Sequence, residues 1–213
     1  MGRPATGVGM RQWYDLLAQT SGLARSRCLG ETSPYHFAKY ARYKEDWLDQ
    51  SLYWRLCHPG KKGGELTEPN PVDRGRPGSK HHIITDRNGI PLVVGLTAAN
   101  VHDCKMLEYM LDHLPALRNL HGKPTCHPQK LHADKGYDYP FCRQACTVRH
   151  IKHRIARRGV ESSTHFGKHR WVVERTFAWF HRYRRLLVRY ERRADIHLAL
   201  FTLAATLIAF RFC

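Results

Sequence analysis

What this chain has least of is acid. Its 213 residues hold 18 Asp and Glu against 35 Lys and Arg, a net charge of +17 and an isoelectric point near 9.9. Folding gains nothing from such an excess and suffers self-repulsion, whereas a polyanionic partner uses it, because each neutralised phosphate releases condensed counterions. A nucleic acid is therefore expected as partner, ahead of a membrane surface or a ribosome. Long apolar runs are missing too. The run from Ile196 to Phe210 covers 15 residues and is interrupted by His197, Thr202 and Thr206. A membrane span needs roughly 20 residues, so a buried core helix is expected instead. The N-terminus has Gly, Pro and Arg but no apolar stretch of the secretory kind. The seven cysteines, scattered from Cys28 to Cys213, do not form a disulfide framework. These absences point to a cytoplasmic, nucleoid-associated protein with reduced thiols.

What is present is ordinary globular texture, 42% hydrophobic and 25% charged. The first 60 residues read poorly, with helical hints at Gln12–Gln19 and among the aromatics of Tyr35–Trp54. From Pro59 to Lys80, the pieces GKKGG and RGRPGSK describe a flexible basic connection. Beyond it the pattern sharpens. His81–Thr85 and Ile90–Thr97 flank Arg87-Asn88-Gly89, which predicts a β-hairpin. Met106, Leu107, Met110, Leu111 and Leu114 predict a helix started near Asn100–Asp103 and ended by Pro115. Lys130–Asp134 is a short strand, Phe141–Val148 a helix and Ile151–Ala156 a further strand. Helices over 168–190 and 195–211 follow. This is a mixed α/β arrangement.

The helix around Glu174 carries the most information. At helical spacing Glu174 lies roughly 40° from Arg170, and His181 falls on nearly the same line. Val173, Thr176, Phe177, Phe180 and Leu187 form an apolar face beside it. Arg175, Arg182, Arg185 and Arg189 form a basic one. An isolated Arg170–Glu174 pair is commonly just a surface ion pair. Here residues 149–193 contain 14 Lys and Arg against three acids, Glu161, Glu174 and Glu191, so a phosphate-facing surface explains the face better. Arg76 and Lys80, in the basic connection, are further phosphate contacts to consider. Asp134 ends a short strand before Gly136, at the edge of an open sheet where ligands gather; a turn cap is the competing reading. Cys142, Cys146, His150 and His153 are too tightly spaced for a zinc finger. Trp171 and Trp179 are expected to pack rather than to stack on bases.

The blocks GSKHHIITDRNGIPLVVGLTAANVHD, LHADKGYD, IARRG and HRWVVERTFAWFHRYRRLLVRYERRADIHLALFTLA resemble the DDE transposases of insertion-sequence families four and five, from about residue 60 to the C-terminus. The resemblance implies an RNase H-like mixed sheet flanked by helices, acting on double-stranded DNA as a homo-oligomer through terminal inverted repeats. It also implies Mg2+ or Mn2+ held by three carboxylates, which activate water and stabilise the leaving oxygen. By motif the second carboxylate is Asp134 and the third Glu174. Arg170 and His181 occupy two further signature positions, His181 in place of lysine, and Gly167 stands where the family has tyrosine. The first carboxylate is expected about ten residues before Gly64, where this chain has Trp54; Asp49 is about 16 Å away along an extended strand. The expected division is an N-terminal segment, 1–58, unlike the family, and a DDE domain, 59–213, incomplete at its first strand. A frameshifted, truncated or fused gene copy would give that pattern, and sequencing the locus tests it. Two rival readings stand beside the enzyme: a catalytically dead DNA-binding remnant, and a basic RNA-binding protein.

Overall fold

The computed structural model describes residues 51–115, 117–118, 124–125, 127–159 and 163–212, with the backbone alone at 51–55, 117–118, 124–125 and 163–170. The helix expected at Gln12–Gln19 lies outside these residues, as does most of Tyr35–Trp54, whose last four positions are strand rather than helix. In chain order the elements are β1 (Ser51–Pro59), β2 (Glu68–Pro69), β3 (Pro77–Thr85), β4 (Pro91–Ala98), α1 (Cys104–Asp112), β5 (Leu117–Arg118), β6 (Pro124–Thr125) and β7 (Lys130–Ala133). They continue with α2 (Pro140–Val148), β8 (Lys152–Ile155), α3 (Ser163–His181), α4 (Arg184–Leu187) and α5 (Ala194–Phe210).

The expected hairpin is β3–β4, and its turn has a visible cause. The Asp86 carboxylate accepts the N–H groups of Asn88 (3.0 Å) and Ile90 (2.6 Å), closing the turn. Gly89 takes the left-handed conformation, φ 82°. A Cβ there would also sit 2.7 Å from Thr176 Oγ1, so glycine is required for docking α3 as well as for the turn.

The main sheet runs β4-β3-β1-β7-β8, with β2 paired to the start of β3. β1, β3 and β4 are mutually antiparallel neighbours, while β7 joins β1 in parallel and β8 joins β7 in parallel. This is the RNase H-like order that the resemblance implied. Helices cover both faces. On one, Leu107, Met110 and Leu111 of α1 and Cys142 and Cys146 of α2 pack with Ile84, Val93 and Leu131. On the other, Val172, Val173, Phe177 and Phe180 of α3 and Phe201, Ala204 and Ile208 of α5 pack with Ile83 and Val94. Neighbours such as Ile83 and Ile84 go to opposite faces because strand side chains alternate, which explains why β4 reads as one apolar run. Each fully buried aliphatic or aromatic side chain contributes about 1.5–3 kcal/mol. Among the described residues no helix is long and apolar enough to cross a membrane.

Two expectations need correction. The Gly/Pro-rich stretch is not a free linker. Gly60 bridges to Arg189, Glu65 N–H donates to Arg192 O (2.9 Å), and β3 begins at Pro77. The helix expected over 168–190 is two pieces, since α3 stops at His181 and Tyr183 is extended ahead of α4. Leu186, rather than Leu187, therefore becomes the buried residue.

Candidate active site

Asp134 directly follows β7. Its Oδ1 accepts the Lys135 N–H (2.7 Å) and its backbone carbonyl accepts the Tyr137 N–H (3.0 Å), which starts a 3-10 turn over 135–137. The carboxylate is half-buried, at the carboxyl end of the strand as expected. In the parallel β1–β7 register Tyr53 lies beside Ala133, so Trp54 on β1 is level with Asp134. The nine residues of β1, SLYWRLCHP, include no carboxylate.

Glu174 is exposed on α3. Its neighbours fasten this part of the helix to the hairpin turn: Arg175 donates to Asn88 O (2.6 Å) and Thr176 Oγ1 to Gly89 O (2.6 Å). That turn joins β3 and β4, whereas Asp134 lies beyond β1 at the end of β7. Among the described residues no group of three or more His, Cys, Asp or Glu side chains is gathered closely enough to hold a metal ion. The expected three-carboxylate metal set therefore does not fit the donors as they stand.

The expected phosphate contacts divide in two. Arg76, Arg182 and Arg185 are exposed, and Arg185 pairs with Glu191 (2.7 Å). Arg170 lies on the α3 backbone. The others are held by the fold. Lys80, expected in a basic loop, is buried on β3, 3.0 Å from Asp103, and donates to Val101 O (2.6 Å). Arg189 is 1% exposed and donates to Ser79 Oγ (2.6 Å), Glu191 O (2.9 Å), Leu66 O (3.3 Å) and Arg192 O (3.4 Å). The break after α3 turned it inward. Arg175 is half-buried, its guanidinium 4.5 Å from the Trp171 ring centre and 5.0 Å from that of Trp179. His181 stands edge-on to His58, ring centres 5.6 Å apart, and burial pulls its pKa down, so it is neutral near pH 7. Cys142 and Cys146 are core residues, and burial pushes their thiols up to about 12 and about 11.

Sequence reasoning missed two features. One is a chain of buried histidines between the sheet and α5. His58 and His81 have ring centres 4.0 Å apart; His81 Nε2 meets His197 Nε2 at 2.8 Å, and His197 Nδ1 meets Glu191 at 3.1 Å. The only sequence signal was the His81-His82 pair, and on a strand the two point to different faces. His82 bonds Thr97 Oγ1 instead (2.8 Å). The other is a clasp over the Asp134 turn. Asp103, expected to cap α1, makes no side-chain cap and is paired with Lys80. Its Oδ2 would lie 3.4 Å from a Cβ at Gly136. Beside it His102 Nε2 meets the Tyr139 hydroxyl (3.1 Å), to which Arg158 also donates (3.1 Å).

The geometry defines a strongly basic α/β protein of RNase H-like architecture, with one carboxylate at a strand end and another on a flanking helix. Residues 53–209 match the transposase DDE domain family, and the chain belongs to that family, the DDE transposases of bacterial insertion sequences. A Burkholderia cepacia protein provisionally named a transposase for insertion sequence element IS402 is 47% identical over 199 residues, 93% of this chain and 94% of that protein. The transposase for insertion sequence element IS1106 of Neisseria meningitidis serogroup B is 33% identical over 115 residues, 49% of this chain and 36% of that protein. The catalytic core domain of BIV integrase overlaps 76% of this chain and 80% of its own at 11% identity, with a TM-score of 0.38, too slight a likeness to bear on function.

Proposed function

We propose that the chain binds the terminal inverted repeats of an insertion sequence as a homo-oligomer, and that Asp134 and Glu174 are the carboxylates serving strand cleavage and transfer. The observation that carries this reading is the family match over residues 53–209 on a chain with net charge +17. Of the arginines expected to contact phosphate, Arg76, Arg182 and Arg185 face solvent, and they are the proposed contacts. Magnesium or manganese is the expected metal, since hard cations take oxygen ligands. The described donors do not gather three ligands, so the assignment stops at the two carboxylates and the exposed arginines. DNA binding and strand cleavage thus rest on different residues and are separable.

The test is nicking of supercoiled plasmid in magnesium and in manganese, beside duplex binding titrated with salt, for the wild type and Glu174→Gln. Metal-dependent nicking that Glu174→Gln abolishes, with binding intact, supports the full reading. Equal nicking by the variant removes Glu174 from the chemistry. Binding without nicking leaves a DNA-binding remnant, as the acid-free β1 would explain. Absence of salt-sensitive binding overturns the nucleic-acid partner.

A further inference from the structure

Helix α5 carries large apolar side chains on more than one side, yet the described chain covers only part of them. Ala194, His197, Phe201, Ala204, Ala205 and Ile208 face the sheet. On another side Ile196 is 44% exposed, Leu203 56%, Leu207 44% and Phe210 73%, and Leu200 is half-buried between them. These five follow each other at intervals of four, three, four and three residues, the a/d spacing of a helix that packs against another helix. Over the 17 residues of α5 the only Asp, Glu, Lys or Arg is Asp195. In a chain with 35 Lys and Arg and a net charge of +17, such an uncharged strip is where a second copy can approach without meeting like charge. Among the described helices α5 alone presents an exposed seam of this spacing, so the matching partner is another α5.

We propose that α5 is a self-association surface: two copies of this chain pair through the seam Ile196, Leu200, Leu203, Leu207 and Phe210, related by a twofold axis at Leu203. Leu203 is the midpoint of the seam, so it meets its own copy whether the helices run parallel or antiparallel. The inference rests on the homo-oligomer part of the proposed function and not on DNA binding. Its salt response is also the reverse of DNA binding. Salt screens the repulsion between two cationic copies and leaves apolar burial intact, so pairing tightens as ionic strength rises.

Sedimentation equilibrium of the full chain without DNA tests this for the wild type, Leu203→Glu, Leu203→Lys and an equimolar mixture of the two variants. Leu203 is exposed, so far-UV circular dichroism of each variant should match the wild type. The expected result is a wild-type dimer that tightens with salt, single variants weakened on the order of a hundredfold, and restored pairing in the mixture, where Glu faces Lys. A wild type that stays monomeric overturns the seam, including the outcome in which the chain's own N-terminal residues occupy the face, and leaves standing an oligomer assembled on DNA. A wild-type dimer that persists in both single variants overturns the seam and leaves the oligomer standing.

Discussion

Replacing Arg189 by Met separates two roles that a basic residue in this chain can have. The guanidinium is buried and supplies four hydrogen bonds, to Ser79 Oγ and to the carbonyls of Leu66, Glu191 and Arg192. These join β3, the segment after β1 and the segment before α5. Methionine has similar length and no donor, so four acceptors lose a partner, although Leu66 O keeps the Ser79 hydroxyl (2.7 Å) and Arg192 O keeps the Glu65 N–H (2.9 Å). Each buried acceptor left unsatisfied costs about 1–3 kcal/mol, so losing the donor to Ser79 Oγ and to Glu191 O costs about 2–4 kcal/mol. For a domain of this size each 1 kcal/mol lowers the melting temperature by roughly 2–4 °C, so a drop of about 5–15 °C is expected. The assay is thermal unfolding by circular dichroism, with Arg182→Ala as comparison and salt-dependent DNA binding measured on both. Arg182 is exposed, so its loss should leave the melting temperature within about 2 °C and reduce the salt slope by about one phosphate contact. An Arg189→Met protein as stable as the wild type but with a shallower salt slope would refute the structural role and return Arg189 to the DNA surface.

Two further outcomes follow from burial. His58 is held down to about 4 by burial, with His181 and His197 adding to the effect against a carbonyl bond from Leu187, while burial raises Asp86 to about 6. A depressed histidine gives stability that is complete above its unfolded value near 6.5 and is lost as pH falls towards 4, here about 3 kcal/mol. A raised carboxyl acts oppositely, favouring the fold as it protonates between pH 6 and about 4, so the two largely offset each other in the wild type. Asp86→Asn removes the offset, and its urea unfolding free energy should fall about 3 kcal/mol more steeply than the wild type's between pH 7 and 4. An unchanged slope would refute the assignment. Separately, Gly64→Ala should cost about 2 kcal/mol or more, because Gly64 has φ 118° and an added Cβ would collide with the Arg192 backbone; a wild-type chemical denaturation midpoint would show the contact to be looser.

The hairpin, the helix at 104–112 and the strands at 130–133 and 152–155 were legible because local signals set them: an Asn-Gly turn, apolar spacing, a closing Pro115. The end of α3 was not, since residues 175–190 contain neither Gly nor Pro to mark it. That break removed Arg189 from the basic face, because a helical wheel drawn to 190 keeps Arg189 on the line of Arg182 and Arg185. The motif positions Asp134 and Glu174 were read from the resemblance. Their surroundings, the clasp at Asp103 and the hairpin contacts of Arg175 and Thr176, join residues far apart in the chain.

The sequence by itself determined the charge, the hairpin and most element types beyond residue 80, the family resemblance and the acid-free stretch at 51–59, all properties of composition and short-range pattern. Only the tertiary structure decided which cations face solvent. Lys80 and Arg189 look like Arg76 and Arg182 along the chain, yet the first two are desolvated and paired and the others are exposed. The reason is that burial is a long-range property: a charged side chain goes inside only where distant partners, such as Asp103 for Lys80 or Leu66 and Ser79 for Arg189, compensate its lost water.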